Sequence, residues 1–470
     1  MVSFEDIIKK IEDRKNKTVV IDAITNRIYD LNNFSKDILT LTSYLKLMNN
    51  EKIIIRENNS YDLLIAFFAT MFSNKIIIPV DPEKEEIELA RIRQIHYEAK
   101  FVDVGEIRNI METQAVSKGK LPWDQVNKDR LYLITYTSGS TGEPKGVMHS
   151  IKNLFLAAYA FGEKMKYSAA TVMGHCMPMT YMAGILNTII MPYVMGGSIV
   201  ILPRFSMTNA FEFWNRVKFY NINTLWISPT MLRIVNLIDK KGVMREYFHD
   251  VCMKISVGTA PLDSKLRDEF EKKYDTRLYQ SYGLSETLFI STEVLEEQKS
   301  KHTVGQLLPD VELLIEKDGE IEISVPWLFI GYTNIDTKLY IKDNKYISGD
   351  LGKMVGDNLI ITGRKKDLIV KGGYNINPRD IEKLMIENNM VYECAVVPVN
   401  INGEELIGAY IVSNDDIKLN QINEFIVKAM GKHNKIDYME KVMDIPKNLN
   451  GKIDKTRIAK ELEQKYDYKV

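Results

Sequence analysis

Residues 135–150 read TYTSGSTGEPKGVMHS and follow directly on the apolar run LYLI. Thr137, Ser138, Gly139, Ser140, Thr141 and Gly142 are all glycine or hydroxyl-bearing, and Pro144 and Lys145 close the run. A strand that empties into small residues can make a concave surface of backbone N–H groups, which is how chains cradle phosphate oxygens. Gly139 and Gly142 can take φ > 0, so the loop can turn its amides inward. Lys145, after the rigid Pro144, supplies a positive charge at the rim. KGVMH then reads as a returning strand, with Ser150 as N-cap of a helix over IKNLFLAAYAF. The pattern is not a P-loop, because Gly146 follows Lys145 and no serine or threonine is placed there to hold a magnesium ion. On these residues alone, a nucleotide loop and a flexible surface turn both stay open.

Outward from this loop, strand-like runs (KTVVID, EKIIIR, KIIIPVD, LYLITYT) alternate with helical patterns (FSKDILTLTSYLKLM, SYDLLIAFFATMF), which predicts parallel α/β layers. The alternation continues through GSIVILP, NAFEFWNRVKFYN, TLWISP, TMLRIVNLI and KISVG. After about residue 300, short strands (VELLIEK, GEIEISV, NKYISGD, NLIITGR) follow one another without helices, as in a small antiparallel sheet or barrel. From Lys365 the lysine- and glycine-rich KKDLIVKGGYNINP leads into the helix PRDIEKLMIENN, two strands and a further helix. The expected fold class is α/β. A large N-terminal part, 1–364, holds two α/β layered subdomains and a β-barrel-like subdomain over about 300–364, and a small mobile α+β domain spans 365–470.

The chain has 470 residues, enough for about two to four domains, with 62 Lys+Arg against 63 Asp+Glu. That balance gives no net field to recommend nucleic acid or an anionic membrane as partner. Cys176, Cys252 and Cys394 form no CxxC pair, which argues against a disulfide framework or zinc site and for buried thiols in a reducing compartment. The N-terminus MVSFEDIIKKIEDRK is charged and unlike a signal peptide, and AGILNTIIMPYVMGG is interrupted by Asn187, Thr188 and Pro192. A cytoplasmic protein is expected.

Four further stretches stand out: VGTAPLD (257–263), YQSYGLSET (279–287), YISGDLG (346–352) with ITGRKKD (361–367), and NLNGKIDK (448–455). Each has an ordinary reading: a turn, a helix start capped by Ser285, a surface ion pair between Asp350 and Arg364, and a solvated lysine. Each also has a chemical one. Tyr282 offers a flat ring, Glu286 a hard oxygen ligand for magnesium held jointly with phosphate, and Asp350 a carboxylate that can accept from a cis-diol.

Together with TSGSTGEPKG, and in this order, these stretches resemble the core motifs of the adenylate-forming superfamily: acyl- and aryl-CoA synthetases, peptide-synthetase adenylation domains and firefly luciferase. The resemblance covers essentially the whole chain. It implies a nucleotide site of Thr137–Gly142, Lys145, Thr259, Ala260 and Pro261 against one face of adenine, with Ser281, Tyr282, Gly283 and Ser285 at the other. Ser285 stands where the family pattern has threonine. Asp350 would hold the ribose, and Arg364 would approach ribose and α-phosphate from the other side. Glu286 would be the magnesium ligand, and Lys452, beside Gly451, the catalytic lysine between substrate carboxylate and α-phosphate.

The activity so implied is ATP-dependent conversion of a carboxylic acid to an acyl-adenylate with pyrophosphate release, then transfer to a thiol. CoA is the expected acceptor. The alternatives are a stand-alone adenylation enzyme loading the phosphopantetheine of a separate carrier protein, and a catalytically idle nucleotide-binding protein. Lys366 falls at the family's hinge, and Gly372 and Gly373 at the loop lining the thiol channel. Tyr181, Gly184, Gly258 and Gly283 are expected at the acid pocket, Tyr181 where CoA synthetases carry histidine. Amino-acid-activating members of that superfamily place an aspartate in the region that here reads HCMPMTYMAG, with no acidic residue, so the resemblance implies that a free α-amino acid is not the substrate.

Overall fold

The computed structural model describes residues 2–14, 18–113, 119–137, 145–295, 302–388, 390–447 and 452–467. The isoleucine-rich runs Lys52–Arg56 and Ile76–Val80 pair in parallel with each other, and with Lys100–Phe101 on one side and Leu131–Thr137 on the other. Lys145–Ser150 and Gly331–Tyr332 extend this six-stranded sheet antiparallel. The helix Tyr61–Phe72 beside it is apolar but for Asp62 and Thr70, and all twelve residues are buried, Asp62 against Arg108; such a helix must be covered on every face. The Ser60 hydroxyl accepts from the Leu63 N–H at its start, a cap worth about 1 kcal/mol. Ser150 caps Ile151–Lys164 in the same way, through the Asn153 N–H.

The second sheet is parallel through Ser198–Ile201, Val172–His175, Thr224–Ile227, Lys254–Val257 and Leu278–Leu284. At the far edge Thr18–Asp22 pairs parallel with Ser198–Ile201, and Arg27–Asp30 closes that edge antiparallel. Leu278–Leu284 is the joint of the molecule: parallel to Lys254–Val257 on one edge, antiparallel to Leu288–Thr292 on the other. Antiparallel pairing then runs on through Gln306–Leu307, Asn358–Arg364, Lys345–Val355, Glu320–Ser324 and Glu312–Ile315. The β-rich stretch of 300–364 is thus joined edge to edge with the parallel layer, which carries Asp350 and Arg364 to the same sheet as Tyr282.

Beyond Lys365, Glu393–Ile401 and Glu404–Val412 pair antiparallel, and Tyr438–Lys441 adds in parallel. Two apolar clusters, one from Ile369 to Ile436 and one from Ala395 to Leu462, draw their buried residues from this stretch alone. The Asn377 side-chain N–H donates to the Thr362 carbonyl at 2.9 Å and Arg379 to that of Ile361 at 2.7 Å, tying the helix Pro378–Glu387 to the end of Asn358–Arg364.

Three local features depart from the sequence reading. Ala183–Ile190, inside the interrupted apolar stretch, is a fully buried π-helix that passes into the short α-helix Met191–Val194. NAFEFWNRVKFYN divides into a 3₁₀ turn, Ala210–Glu212, and an α-helix, Phe213–Phe219. Cys176 and Cys394 are buried as expected, but Cys252 is exposed, at a turn with φ of 49°. Among the described residues no helix is long and apolar enough to cross a membrane.

Candidate functional site

The hairpin of Leu131–Thr137 and Lys145–Ser150 closes with Thr137 opposite Lys145. Ser138, Gly139, Ser140, Thr141 and Gly142, expected to cradle phosphate, lie outside the described residues, as does Gly451. Lys145 at the loop's exit donates to the Tyr340 hydroxyl at 2.9 Å and lies over the rings of Tyr340 and Tyr332 at 4.5 and 5.6 Å.

Strand pairing sets the ribose candidates. Asp350 and Arg364 face each other across the ladder of Lys345–Val355 and Asn358–Arg364. Arg364 Nε–H donates to Asp350 Oδ1 at 2.7 Å, and the Tyr282 hydroxyl donates to Asp350 Oδ2 at 2.6 Å. Asp350 is 2% exposed, so this is no loose surface pair. A buried carboxylate persists only when paired and hydrogen-bonded. Burial, then the Asp350 carboxylate, pushes the Tyr282 phenol well above its usual range. Arg364 meets Asp350 directly, and a ribose diol would have to share the carboxylate with the phenol and the guanidinium.

Ser285, Glu286 and Thr287 form a tight turn between two antiparallel strands, not the helix start that Ser285 could have capped. The turn is pinned from two sides. The Ser285 carbonyl accepts from His149 Nε2–H at 2.7 Å, and the Glu286 carbonyl accepts from the Phe329 N–H at 2.9 Å. The Tyr332 hydroxyl donates to Glu286 Oε1 at 2.6 Å and meets the Tyr346 hydroxyl at 3.0 Å. Among the described residues no group of three or more His, Cys, Asp or Glu could enclose a metal. A single carboxylate fits a magnesium ion held mainly by substrate phosphates.

At the adenine candidates, Thr259 takes φ of 70°, and its buried hydroxyl has no partner among the described residues. A non-glycine residue held in that region marks local strain, which concentrates at ligand clamps. Ala260 is half-buried and Pro261 exposed. The Ser281 hydroxyl is spent on Thr292 at 2.9 Å.

At the glycines expected in the acid pocket the chain packs closely. A Cβ on Gly184 would lie 2.0 Å from the Pro178 carbonyl oxygen, and one on Gly283 2.1 Å from that of Leu288. Both glycines answer to close backbone approach. A Cβ on Gly258 would stand 3.0 Å from the Trp226 ring. Tyr181 is half-buried against the cluster that holds Cys176 and Met177. His175 belongs to the core: the Thr188 hydroxyl donates to the Gly184 carbonyl at 2.7 Å, so it accepts from His175 Nδ1–H at 2.7 Å and leaves Nε2 a bare lone pair. Burial pushes this imidazole down to about 3.

Lys366 lies in the 3₁₀ turn Lys365–Asp367, where desolvation and then the cations Arg364 and Lys145 lower its ammonium from the usual lysine range. Gly372 and Gly373 form the two-residue turn between Ile369–Lys371 and Tyr374–Ile376, with φ of 57° and 82°. A Cβ at either would meet nothing within 4 Å, so positive φ in a tight hairpin, not crowding in a channel, demands glycine in this arrangement. Lys452 is half-buried in the C-terminal unit, beside the isolated bridge Lys447–Ile453.

The structure therefore joins Tyr282, Asp350 and Arg364 in one cluster, and Lys145 and Glu286 through Tyr332 in another. Tyr332, Tyr340, Tyr346 and His149 were not singled out from sequence. The signal for the tyrosines was three of them in fifteen residues, 332–346, leading into the Asp350 motif within FIGYTNIDTKLYIKDNKYISGD.

A family model described as AMP-binding enzyme matches residues 93–333. The chain belongs to the AMP-binding enzyme family. This family member is 28% identical over 373 residues to 4-coumarate–CoA ligase-like 8 of Arabidopsis thaliana, an alignment covering 74% of this chain and 66% of that protein. It is 27% identical over 368 residues to malonate–CoA ligase of the same plant, covering 70% and 60%. The chain thus spans no more than about two thirds of the length of these relatives. ATP-bound MatB from Rhodopseudomonas palustris has the same fold, with a TM-score of 0.86 at 21% identity over 98% of this chain and 99% of that one. o-Succinylbenzoate CoA synthetase (MenE) from Bacillus subtilis matches with a TM-score of 0.81 at 19% identity over 96% and 97%. The chain is a member of the adenylate-forming superfamily, with an α/β fold matched over nearly its whole length.

Proposed function

We propose that this chain converts a carboxylic acid to an acyl-adenylate at the expense of ATP and passes the acyl group to a thiol, with CoA as acceptor. The observation that carries the reading is the buried Asp350, held between Arg364 and the Tyr282 hydroxyl in the same sheet as the Glu286 turn. A carboxylate cannot acylate a thiol directly, since its leaving group would be oxide. One of its oxygens attacks the α-phosphorus in line, and the α–β bridging oxygen leaves with pyrophosphate. Negative charge gathers on phosphoryl oxygens throughout, so positioning and fixed positive groups supply most of the acceleration. Lys145 and the motif of 137–142 serve the departing phosphates, Lys452 bridges the attacking carboxylate and the α-phosphate, and Asp350 fixes the ribose. A magnesium ion on Glu286, shared with the phosphates, supplies charge neutralisation when bound.

For the second step the unit 365–470 turns about Lys366 and brings the hairpin of Gly372 and Gly373 to the adenylate. The thiol sulfur then attacks the acyl carbon and AMP leaves. The similarity to ligases of CoA favours CoA over a carrier-protein phosphopantetheine. Tyr181 sits beside the acid, and the lack of an acidic residue in 175–184 speaks against an α-amino acid. The test is pyrophosphate release on mixing with MgATP and a panel of acids, with CoA and a carrier protein as separate acceptors. Release that depends on one acid class, followed by its thioester, supports the reading; tight nucleotide binding without release with any acid overturns it.

A further inference from the structure

Lys145 and Glu286 carry opposite charges on neighbouring elements, yet among the described residues they form no ion pair. What stands between them is Tyr332. Its hydroxyl donates to Glu286 Oε1 at 2.6 Å, while Lys145 lies over its ring, 5.6 Å from the centroid. We propose that Tyr332 is a positioning residue that keeps the loop lysine and the metal-binding carboxylate apart, so that each meets MgATP uncompensated.

The local chain is threaded to do this. Gly331–Tyr332 pairs antiparallel with the strand that Lys145 opens, and the Thr333 N–H donates to the Gly146 carbonyl at 2.9 Å. One turn back, the Phe329 N–H donates to the Glu286 carbonyl at 2.9 Å. The segment 329–333 is therefore stitched to both partners' backbones, with Tyr332 projecting between them. The ring cannot swing aside. It is 6% exposed, Phe329 and Tyr340 meet it edge-on at 4.9 and 5.2 Å, and the Tyr346 hydroxyl holds its oxygen at 3.0 Å. Tyr340 draws the Lys145 ammonium onto its own hydroxyl at 2.9 Å.

The chemistry follows from the separation. A lysine neutralised by Glu286 would offer little to a phosphate, and a carboxylate neutralised by lysine would be a poor magnesium ligand. A phenol hydrogen bond holds the carboxylate without cancelling its charge, and an aromatic face steadies an ammonium without cancelling its charge either. Tyr332 thus keeps both charges available and close.

The inference rests on the reading of Glu286 and Lys145 given above, and its test separates the two. Wild-type protein, Tyr332→Phe and Tyr332→Leu are compared for the magnesium concentration that half-saturates pyrophosphate release, and for ATP binding by calorimetry with and without metal. Tyr332→Phe keeps the ring and loses a hydrogen bond to a charged group, so half-saturating magnesium should rise about 10-fold while metal-free ATP binding stays within about 2-fold. Tyr332→Leu removes the ring as well, and both quantities should worsen by about 10-fold or more. Adding Lys145→Met to Tyr332→Leu should bring half-saturating magnesium back toward the Tyr332→Phe value, because Glu286 then has no cation to pair with; a residue needed only for packing would show no such rescue. A crystal structure of Tyr332→Leu, which needs no nucleotide, should show a Lys145–Glu286 ion pair. Wild-type protein that fails to bind MgATP refutes the functional reading and leaves that crystal structure to judge the spacing. Folded Tyr332→Leu with Lys145 and Glu286 still apart, or with wild-type magnesium and ATP constants, overturns the inference.

Discussion

Asp350 and Lys452 rest on unequal supports. Asp350 sits in the eleven-residue strand Lys345–Val355, paired along both edges, with both carboxylate oxygens engaged. Lys452 adjoins Ile453 of the isolated bridge Lys447–Ile453, in a unit whose apolar clusters are its own. The difference teaches how the work is divided. The groups proposed to hold the nucleotide are fixed by strand pairing and buried hydrogen bonds. Under the proposed function, the lysine needed for only one of two steps is carried by a unit with its own apolar clusters.

The sharpest way to break this comparison is Lys452→Ala. Loss of a preorganised charge on the transferring phosphoryl group should slow adenylate formation by about 100-fold or more, while thioester formation from supplied acyl-adenylate stays within a few fold. Equal loss in both half-reactions, read by quenched-flow, would mean that Lys452 belongs to the fixed part.

Acid should separate the two parts next. Burial pushes His96 and His149 down to about 4 and His175 to about 3, all before Lys365. The only histidine beyond it, His433, is exposed. These imidazoles are neutral when folded and titrate near 6.5 when unfolded, so below that value the unfolded state binds more protons. Stability is full above about pH 6.5 and falls as pH drops toward 4, by about 2 kcal/mol per histidine at pH 5. Melting at pH 5 should show the N-terminal part shifted down and the C-terminal unit little changed. His149→Asn should flatten the slope for the first transition only.

Asp350→Asn gives a smaller change. It keeps the shape but leaves Arg364 and the Tyr282 hydroxyl facing a neutral amide, so half-saturating ATP should rise about 10-fold, with a similar loss for the acid-independent binding of AMP. An effect confined to thioester formation would detach Asp350 from the nucleotide.

The sequence made the layers legible because their signals are local. Five-residue apolar strands, the Ser150 cap and the mostly apolar helix Tyr61–Phe72 need no partner to be read. The ordered motifs made Asp350, Arg364, Tyr282 and Glu286 legible as a set, and an ion pair of Asp350 with Arg364 was among the readings, but not the burial of Asp350 or its bond from the Tyr282 hydroxyl, which depend on a ladder register. Tyr332 was legible only as one of three tyrosines ahead of Asp350, and not its role, which comes from contacts to residues 46 and 187 positions away. The π-helix of Ala183–Ile190 was hidden in the same way, since an apolar stretch carries no period that distinguishes it from a broken α-helix. For Gly372 and Gly373 the sequence suggested crowding, and the backbone dihedrals supplied the other reason for glycine.

The smallest expected effect sharpens that last point. Gly373→Ala should cost about 1 kcal/mol of C-terminal stability through its positive φ, leaving single-turnover pyrophosphate release unchanged. Gly373→Leu should add a selective loss of thioester formation if the turned unit presents this hairpin to the adenylate. Normal thioester rates with CoA and with a carrier protein would place the thiol's path elsewhere.

The central claim is that a carboxylate oxygen attacks the α-phosphorus. It is tested most directly with acid labelled by ¹⁸O in its carboxylate, incubated with MgATP and CoA and followed by mass spectrometry of the nucleotide. The account predicts AMP carrying one ¹⁸O from the acid, with unlabelled pyrophosphate. ADP as the product, with ¹⁸O in inorganic phosphate, would contradict it.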